Sequence, residues 1–342
     1  MIPPVSRCIL LGDGTAGAEK QCLALAKRLR VPSYEMLRLP LLPAFRYLSP
    51  RSHIQLSALL NTFVKTTPWL GYSHAAVEKA LSARKTSSRK QIFPDLVIAC
   101  GRTTAPLSCA IRKESVNGDQ SRRQTFTIQI QHPRCPPEWF DAIITPEHDF
   151  LSLFPPRSGS NVYLAQGSLH EIDAEWIEEG RQKYLNQTKQ KTLIRPYVMS
   201  IIIGGTQKNC RWEKTDLELL VPTITNDFIS ENGTHSRNIE FYFICSRRTP
   251  DAIAQWIKHY VSQLKNGEGV NAHSWINGDS ECDNPYHMAL SVSDRIVVTS
   301  DSVSMLSECM ALKPPLGLFA AFSEKCRGKH ARFVDSLGIE LL

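Results

Sequence analysis

Apolar residues along this chain fall into two patterns: short unbroken runs, and longer stretches in which they return every third or fourth position. The first pattern predicts strands buried on both faces, and the second predicts helices with one face on a core. In the N-terminal half the short runs lie at residues 7–11, 34–39, 95–100, 125–131, 142–145 and 161–165. Between the first two, residues 19–30 bring Cys22, Leu23, Leu25, Ala26 and Leu29 to one side of a helix. A second cycle has strands expected at 198–203, 240–245, 272–276, 295–299 and 316–319, with helices at 216–230, 251–264, 285–292 and 302–311. Strand and helix alternating twice over predict an α/β chain of two Rossmann-like domains, each a parallel sheet flanked by helices. The polar segment 186–192 has the composition of a connector and divides the chain into domains 1–190 and 191–342. Two such sheets would face a cleft, the expected place for a ligand.

A length of 342 residues lets each half bury its own core, and 42% hydrophobic with 21% charged residues is ordinary globular usage. The apolar runs fall far short of the ~20 residues that cross a bilayer. The start of the chain, Met1-Ile2-Pro3-Pro4, has neither the basic nor the apolar region of a secretory signal. A cytoplasmic protein, in contact with membranes at most peripherally, is expected. The ten cysteines lie far apart without a C-x-x-C pair, which predicts buried free thiols and neither disulfide nor metal chemistry. No cofactor is implied. The net charge of +7 favours acidic partners such as phosphates or anionic lipid, but it is spread too evenly to indicate nucleic acid.

One segment departs from that even spread. Residues 36–74 contain no Asp or Glu, while Arg38, Arg46, Arg51 and Lys65 are interleaved with Leu41, Leu42, Phe45, Tyr47, Phe63, Trp69 and Tyr72. This composition suits a surface lying on anionic lipid with its apolar side inserted. It suits equally well helices packed under the first sheet.

Candidate chemistry sits where strands end, because ligands of open parallel sheets bind outside the carboxyl ends of the strands. Gly12-Asp13-Gly14-Thr15-Ala16-Gly17 fits G-x-G-x-x-G between a strand and a helix, so its backbone N–H groups could approach a phosphate; glycines making a tight turn would look the same. A nicotinamide dinucleotide also wants an acid at the end of the second strand, where Glu35 comes early and Arg38 follows. In the second half, Gly204 and Gly205 end a strand, and Ser300, Asp301, Ser302 and Ser304 open a helix that carries Glu308. Small hydroxyls and an acid at a sheet edge suit a polyhydroxyl or phosphorylated ligand, although helix capping could use one of them. Arg102, Arg134, Arg247 and Arg248 at strand ends offer guanidinium forks for an anion. For general acid–base work Asp13 and His132 are the leading candidates, with His132 directly after a strand and before Pro133.

Taken in order, Leu96-Val97-Ile98-Ala99-Cys100-Gly101-Arg102, Gln129-Ile130-Gln131-His132-Pro133-Arg134, Thr145-Pro146-Glu147-His148-Asp149, Gly167-Ser168-Leu169-His170, Ile203-Gly204-Gly205, Asn284-Pro285-Tyr286 and Val298-Thr299-Ser300-Asp301-Ser302-Val303-Ser304-Met305 span nearly the whole chain. Together they resemble the family of the plant mitochondrial fission factor named for its elongated-mitochondria phenotype. Ser246-Arg247-Arg248-Thr249-Pro250 and Pro136-Pro137-Glu138 are more similar to its bacterial branch. The resemblance implies the fold of B-architecture glycosyltransferases, with a nucleoside-diphosphate sugar on the C-terminal domain and the acceptor on the N-terminal one. It implies that Glu308 would hold the nucleotide ribose. It also offers an alternative, a non-catalytic adaptor that recruits a dynamin-related GTPase to a membrane. That architecture usually sends a last helix back across the cleft, whereas the sequence here stops at Leu342.

Overall fold

The computed structural model of the chain describes residues 5–64, 68–81, 93–117, 124–150, 160–188, 195–207, 210–233, 238–265, 269–278, 283–321, 323 and 325–342. Lys65, Cys282 and positions 189–192 of the polar connector lie outside the described residues. The chain divides into two compact units, Met1–Glu171 and Ile172–Leu342.

In the first unit the order is β1 (Cys8–Gly12), α1 (Ala16–Arg28), β2 (Tyr34–Arg38), α2 (Pro50–Val64), α3 (His74–Leu81), β3 (Leu96–Cys100), α4 (Ala105–Asn117), β4 (Phe126–Ile130), β5 (Ala142–Pro146), α5 (Glu147–Phe150) and β6 (Val162–Ala165). The strands form a six-stranded sheet in the order β2-β1-β3-β4-β5-β6, with every pairing parallel. Alternation along each strand explains both faces. Cys8, Leu10, Leu96, Ile98 and Ile128 pack against Cys22, Leu25 and Ala26 of α1. Ile9, Leu11, Val97 and Ala99 meet Val77 and Leu81 of α3 and Leu107 and Ile111 of α4. Burial on both sides is why these strands are apolar without interruption.

The second unit runs α6 (Ala174–Thr188), β7 (Tyr197–Ile203), α7 (Lys214–Asn232), β8 (Ile239–Cys245), α8 (Asp251–Leu264), β9 (Val270–Ile276), α9 (Tyr286–Val292), β10 (Arg295–Thr299), α10 (Val303–Leu312), β11 (Leu318–Ala321), α11 (Lys329–Ser336) and β12 (Glu340–Leu341). Its sheet is also six-stranded and parallel, in the order β12-β11-β10-β7-β8-β9. One face carries α7 and α8, with Phe228 and Ile257 against Phe241 and Phe243. The other carries α6, α9, α10 and α11, with Tyr184, Met288, Leu306 and Phe333 against Val198, Ile202 and Val298. The chain therefore contains two Rossmann-like α/β units. In each, strand order reverses at one place, between β1 and β3 in the first and between β7 and β10 in the second.

The division between the units falls at Glu171/Ile172 rather than at the expected 190, which moves α6 into the second unit. The reason is packing. A Cβ on Gly180 would lie 2.1 Å from the Ser291 hydroxyl, so the glycine lets α6 lie directly on α9. Trp176 stacks on His287 with ring centroids 4.0 Å apart, and Tyr184 donates a 2.6 Å hydrogen bond to Glu240. A polar connector marks the end of a helix without saying which core that helix serves.

Cys8, Cys22, Cys100, Cys109, Cys135, Cys245 and Cys309 are buried free thiols. Cys210 and Cys326 depart from the expectation and form a disulfide, because the loops following β7 and β11 bring positions 116 residues apart together. Among the described residues no helix is long and apolar enough to cross a membrane.

Candidate functional site

At the reversal point of the second sheet, the ends of β7 and β10 are tied together through Asp301. Its carboxylate accepts the Gly205 N–H at 2.9 Å and the Thr299 hydroxyl at 2.7 Å, and Thr299 Oγ1 in turn accepts the Gly204 N–H at 2.7 Å. Arg248 stands 4.0 Å from the same carboxylate, and the Gln207 amide donates to the Asp301 carbonyl at 2.7 Å. Asp301 is fully buried; burial pushes its carboxyl above the usual carboxylate range against the opposing hydrogen bonds from Thr299 and Gly205 and the charge of Arg248.

The two glycines are required by this closeness. A Cβ at position 204 would sit 2.1 Å from the Asp301 carboxylate, and one at 205 would sit 1.9 Å from the Arg248 carbonyl oxygen. Their N–H groups are taken up inside the protein, by Thr299 and Asp301. Ser300 is also buried, with its hydroxyl 3.5 Å from Cys326 Sγ. Ser302 caps α10 by accepting the Met305 N–H at 3.5 Å.

Gly204, Gly205, Ser300, Asp301 and Ser302 thus make the wall at the reversal point, while the neighbouring Arg247 and Arg248 are exposed and Ser304 is half-buried. Glu308, within α10, accepts a 2.6 Å hydrogen bond from the Tyr286 hydroxyl at the first residue of α9. Burial, with Cys309 and Glu308 adding to it, pushes the Tyr286 phenol well above its ordinary value, so it remains a donor. Tyr286 belongs to the Asn284-Pro285-Tyr286 run, and nothing in its residue type or spacing signals the bond to Glu308, 22 positions later. Thr249, within the Ser246-Arg247-Arg248-Thr249-Pro250 run, donates to the Ile203 and Gly204 carbonyls at 3.0 and 2.5 Å and so ties the loop after β8 to the end of β7.

The first sheet's reversal point has its own carboxylate link. Asp13 Oδ2 accepts the Thr103 hydroxyl at 2.5 Å, and Asp13 Oδ1 accepts the Thr15 N–H at 2.9 Å. Burial raises the Asp13 carboxyl, but these bonds outweigh it and hold it below the usual range. The loop at residues 12–17, whose spacing allowed either a phosphate approach or a tight turn, is occupied from within. Glu19 Oε1 accepts the Gly14 N–H at 3.2 Å, and both Glu19 oxygens bind Arg38. A carboxylate at that position repels a phosphate and takes one of the donors it would use, so Gly12 and Gly14 form a turn closed by Glu19. Arg38, at the end of β2, is the residue a dinucleotide ribose would have wanted to be acidic.

His132 follows β4 in a strained turn. Gln131 and Arg134 adopt φ of 66° and 61°, the left-handed region that costs a non-glycine residue about 1–3 kcal/mol and that gathers at functional sites. The Arg134 N–H donates to His132 Nδ1 at 3.0 Å, which leaves Nε2 carrying the proton of the neutral ring. Burial and the Arg134 charge lower the His132 pKa against the pull of Asp149. Neutral His132 therefore presents a donor, and becomes a proton acceptor only if the Arg134 contact opens. Asp13 and His132 lie on the loops after β1 and β4, with the loop of β3 between them and Arg102 exposed upon it.

The described part of residues 36–74 is buried in some places and exposed in others. Leu41, Trp69 and Tyr72 are buried with the core of the first sheet. Leu42, Tyr47, Leu48, Leu56, Leu59 and Phe63 are exposed.

The fold and the built reversal points define a two-unit α/β protein with a Rossmann-like parallel sheet in each unit. The family described as Mitochondrial fission ELM1 matches residues 16–340, and the chain belongs to that family. It is similar to the Mitochondrial fission protein ELM1 of Arabidopsis thaliana, 25% identical over 382 aligned positions that cover 97% of this chain and 82% of that protein. It is also similar to the Uncharacterized protein RP120 of Rickettsia prowazekii (strain Madrid E), 27% identical over 275 positions that cover 71% of this chain and 69% of the relative. Among solved structures, the glycosyl transferase family 9 protein of Veillonella parvula DSM 2008 superposes with a TM-score of 0.41 at 11% identity, over 93% of this chain and 81% of the other.

Proposed function

We propose that the second unit binds a nucleoside-diphosphate sugar at the end of β7 and β10, and that the chain is a glycosyltransferase-like member of its family. The observation that carries this reading is the Gly204-Gly205-Asp301-Thr299 lock. It fixes two strand ends at the reversal point, the position at which parallel sheets of this kind receive nucleotides. Exposed Arg247 and Arg248 supply charge for the diphosphate, and the start of α10, with Ser304, supplies further donors. The Glu308 carboxylate, oriented by Tyr286, accepts the ribose hydroxyls.

The test is thermal unfolding of the full chain with uridine, guanosine and adenosine diphosphates and their sugar conjugates. Saturation at about one hundred times Kd stabilises by about 2.7 kcal/mol. Glu308→Gln is expected to remove the nucleotide-dependent rise while leaving the unliganded Tm close to wild type. Absence of a rise with every nucleotide overturns the reading. Asp301→Ala is unsuited to the test, since it would remove a buried structural carboxylate.

The exposed apolar residues of α2 favour a second reading, an adaptor that docks on a membrane and recruits a dynamin-related GTPase in fission. Under that reading Glu308→Gln retains function in a complementation assay, and nucleotide binding is dispensable.

A further inference from the structure

A cavity of about 540 Å³ lies in the first unit between α2 and α4, inside the range of about 300–1,000 Å³ typical of small-molecule sites. Ile54, Ala58, Leu70, Leu107, Cys109 and Trp139 give it an apolar lining. The charged residues at its edge are Arg112, Lys113, Glu114 and Glu138, two of each sign, and Arg112 is held by Asp141 through two 2.9 Å bonds. The pocket therefore offers shape and apolar surface without a net charge to attract an ionic head.

The same helix that walls the cavity carries an outward apolar stripe. Ile54, Ser57, Ala58 and Asn61, spaced three or four residues apart, turn one side of α2 to the cavity. Leu56, Leu59 and Phe63, spaced likewise, are 36%, 54% and 77% exposed on the side of the helix opposite the cavity, and Tyr47 just before the helix is 93% exposed. Around them, from Met36 to His74, the chain has no Asp or Glu, while Arg46 and Arg51 are exposed. Apolar side chains bordered by cations and free of acids match an anionic lipid surface in both chemistry and charge.

We propose that α2 lies on an anionic bilayer and that the cavity behind it takes the hydrocarbon chain of a membrane lipid. The stripe inserts at the acyl boundary, Arg46 and Arg51 meet the headgroup phosphates, and the chain passes beside α2 into the apolar space against Trp139 and Cys109. This site is independent of the nucleotide reading, because every residue in it belongs to the first unit.

The test uses the full chain, sedimented with vesicles of phosphatidylcholine alone or mixed with phosphatidylglycerol, and titrated separately with a fluorescent dansyl fatty acid. Wild type is expected to bind the mixed vesicles in preference to phosphatidylcholine and to enhance the dansyl emission. Arg46→Gln and Arg51→Gln should each lower vesicle binding about fivefold at low salt. Leu59→Asp with Phe63→Asp should abolish vesicle binding and leave the dansyl signal. Ala58→Trp, which fills the cavity, should abolish the dansyl signal; if that variant fails to fold, Ala58→Met carries the same test with a partial loss. Failure of wild type to bind mixed vesicles overturns the docking surface. Failure to bind the dansyl probe, or a signal that survives in both position-58 variants, overturns the lipid pocket.

Discussion

Glu19 and Gly12 compete for the same space: the carboxylate of Glu19 lies 2.5 Å from where a Cβ at position 12 would begin. This contact decides how the glycine-rich loop of the first unit functions. The loop has the spacing of a phosphate cradle, but its interior is already filled by an anion with its own guanidinium partner, Arg38. Arg38 is 65% exposed, so the ion pair adds little to stability in water, and most of the value of Glu19 lies in satisfying the Gly14 N–H and filling the turn.

Glu19→Ala is accordingly expected to cost about 1 kcal/mol, the net worth of one such hydrogen bond, in urea unfolding. Nucleotide-dependent stabilisation should be unchanged in this variant. A nucleotide response that disappears with Glu19 would place the phosphate site in the first unit instead of the second.

Two glycine substitutions should differ in a way the sequence alone does not suggest. Gly14 has φ of +87° with nothing within 4 Å of an added Cβ, so Gly14→Ala meets only backbone strain of about 1–2 kcal/mol. Gly205 has no unusual φ, but its Cβ would strike the Arg248 carbonyl at 1.9 Å, and main chain cannot rotate away as a side chain can. Gly205→Ala should cost about 3 kcal/mol and lower Tm further than Gly14→Ala in parallel thermal melts. Equal losses would mean that the loop after β8 yields easily.

How much of this was legible beforehand follows from which forces act locally. Burial on both faces makes a strand continuously apolar, so Leu96 to Cys100 and Val198 to Ile203 announced themselves, and their alternation with helices implied parallel sheets. Strand order is set by long-range pairing and leaves no local mark. The adjacency of β7 to β10, which makes a site of Gly204-Gly205 and Asp301, therefore had to be seen. Residue type identified Asp301 as interesting, but its direction, inward onto two N–H or O–H donors instead of outward to solvent, depends on burial. Trp69 and Phe63 sit a few residues apart with the same composition around them, yet one is 2% exposed and the other 77%. The disulfide partners Cys210 and Cys326 are joined by topology, and spacing along the chain held no hint of it.

Glu240 links sequence-distant parts of the second unit and should govern its response to acid. On β8, its carboxylate accepts hydrogen bonds from Tyr184 of α6 at 2.6 Å and Tyr242 at 2.8 Å, and lies 3.1 Å from His273 Nε2 on β9. Burial works to raise its pKa, but the bonds from His273, Tyr184 and Tyr242 prevail and hold it below the ordinary glutamate value. A carboxyl whose pKa is depressed on folding contributes stability above its unfolded pKa and loses that contribution as pH falls through the folded one. Glu240→Gln keeps the shape but turns one acceptor oxygen into a donor facing hydroxyls, at a cost of about 2–3 kcal/mol near neutral pH. The gap in Tm between wild type and Glu240→Gln should be widest near neutral pH and should narrow as pH falls below the ordinary glutamate range and the wild-type carboxyl, held below that range, takes up its proton. Tyr184→Phe, which removes one donor and leaves the charge, should lower stability by about 1 kcal/mol and keep the acid dependence. A gap that stays constant across this range would show that Glu240 holds α6 to the sheet by its shape, with its charge contributing nothing.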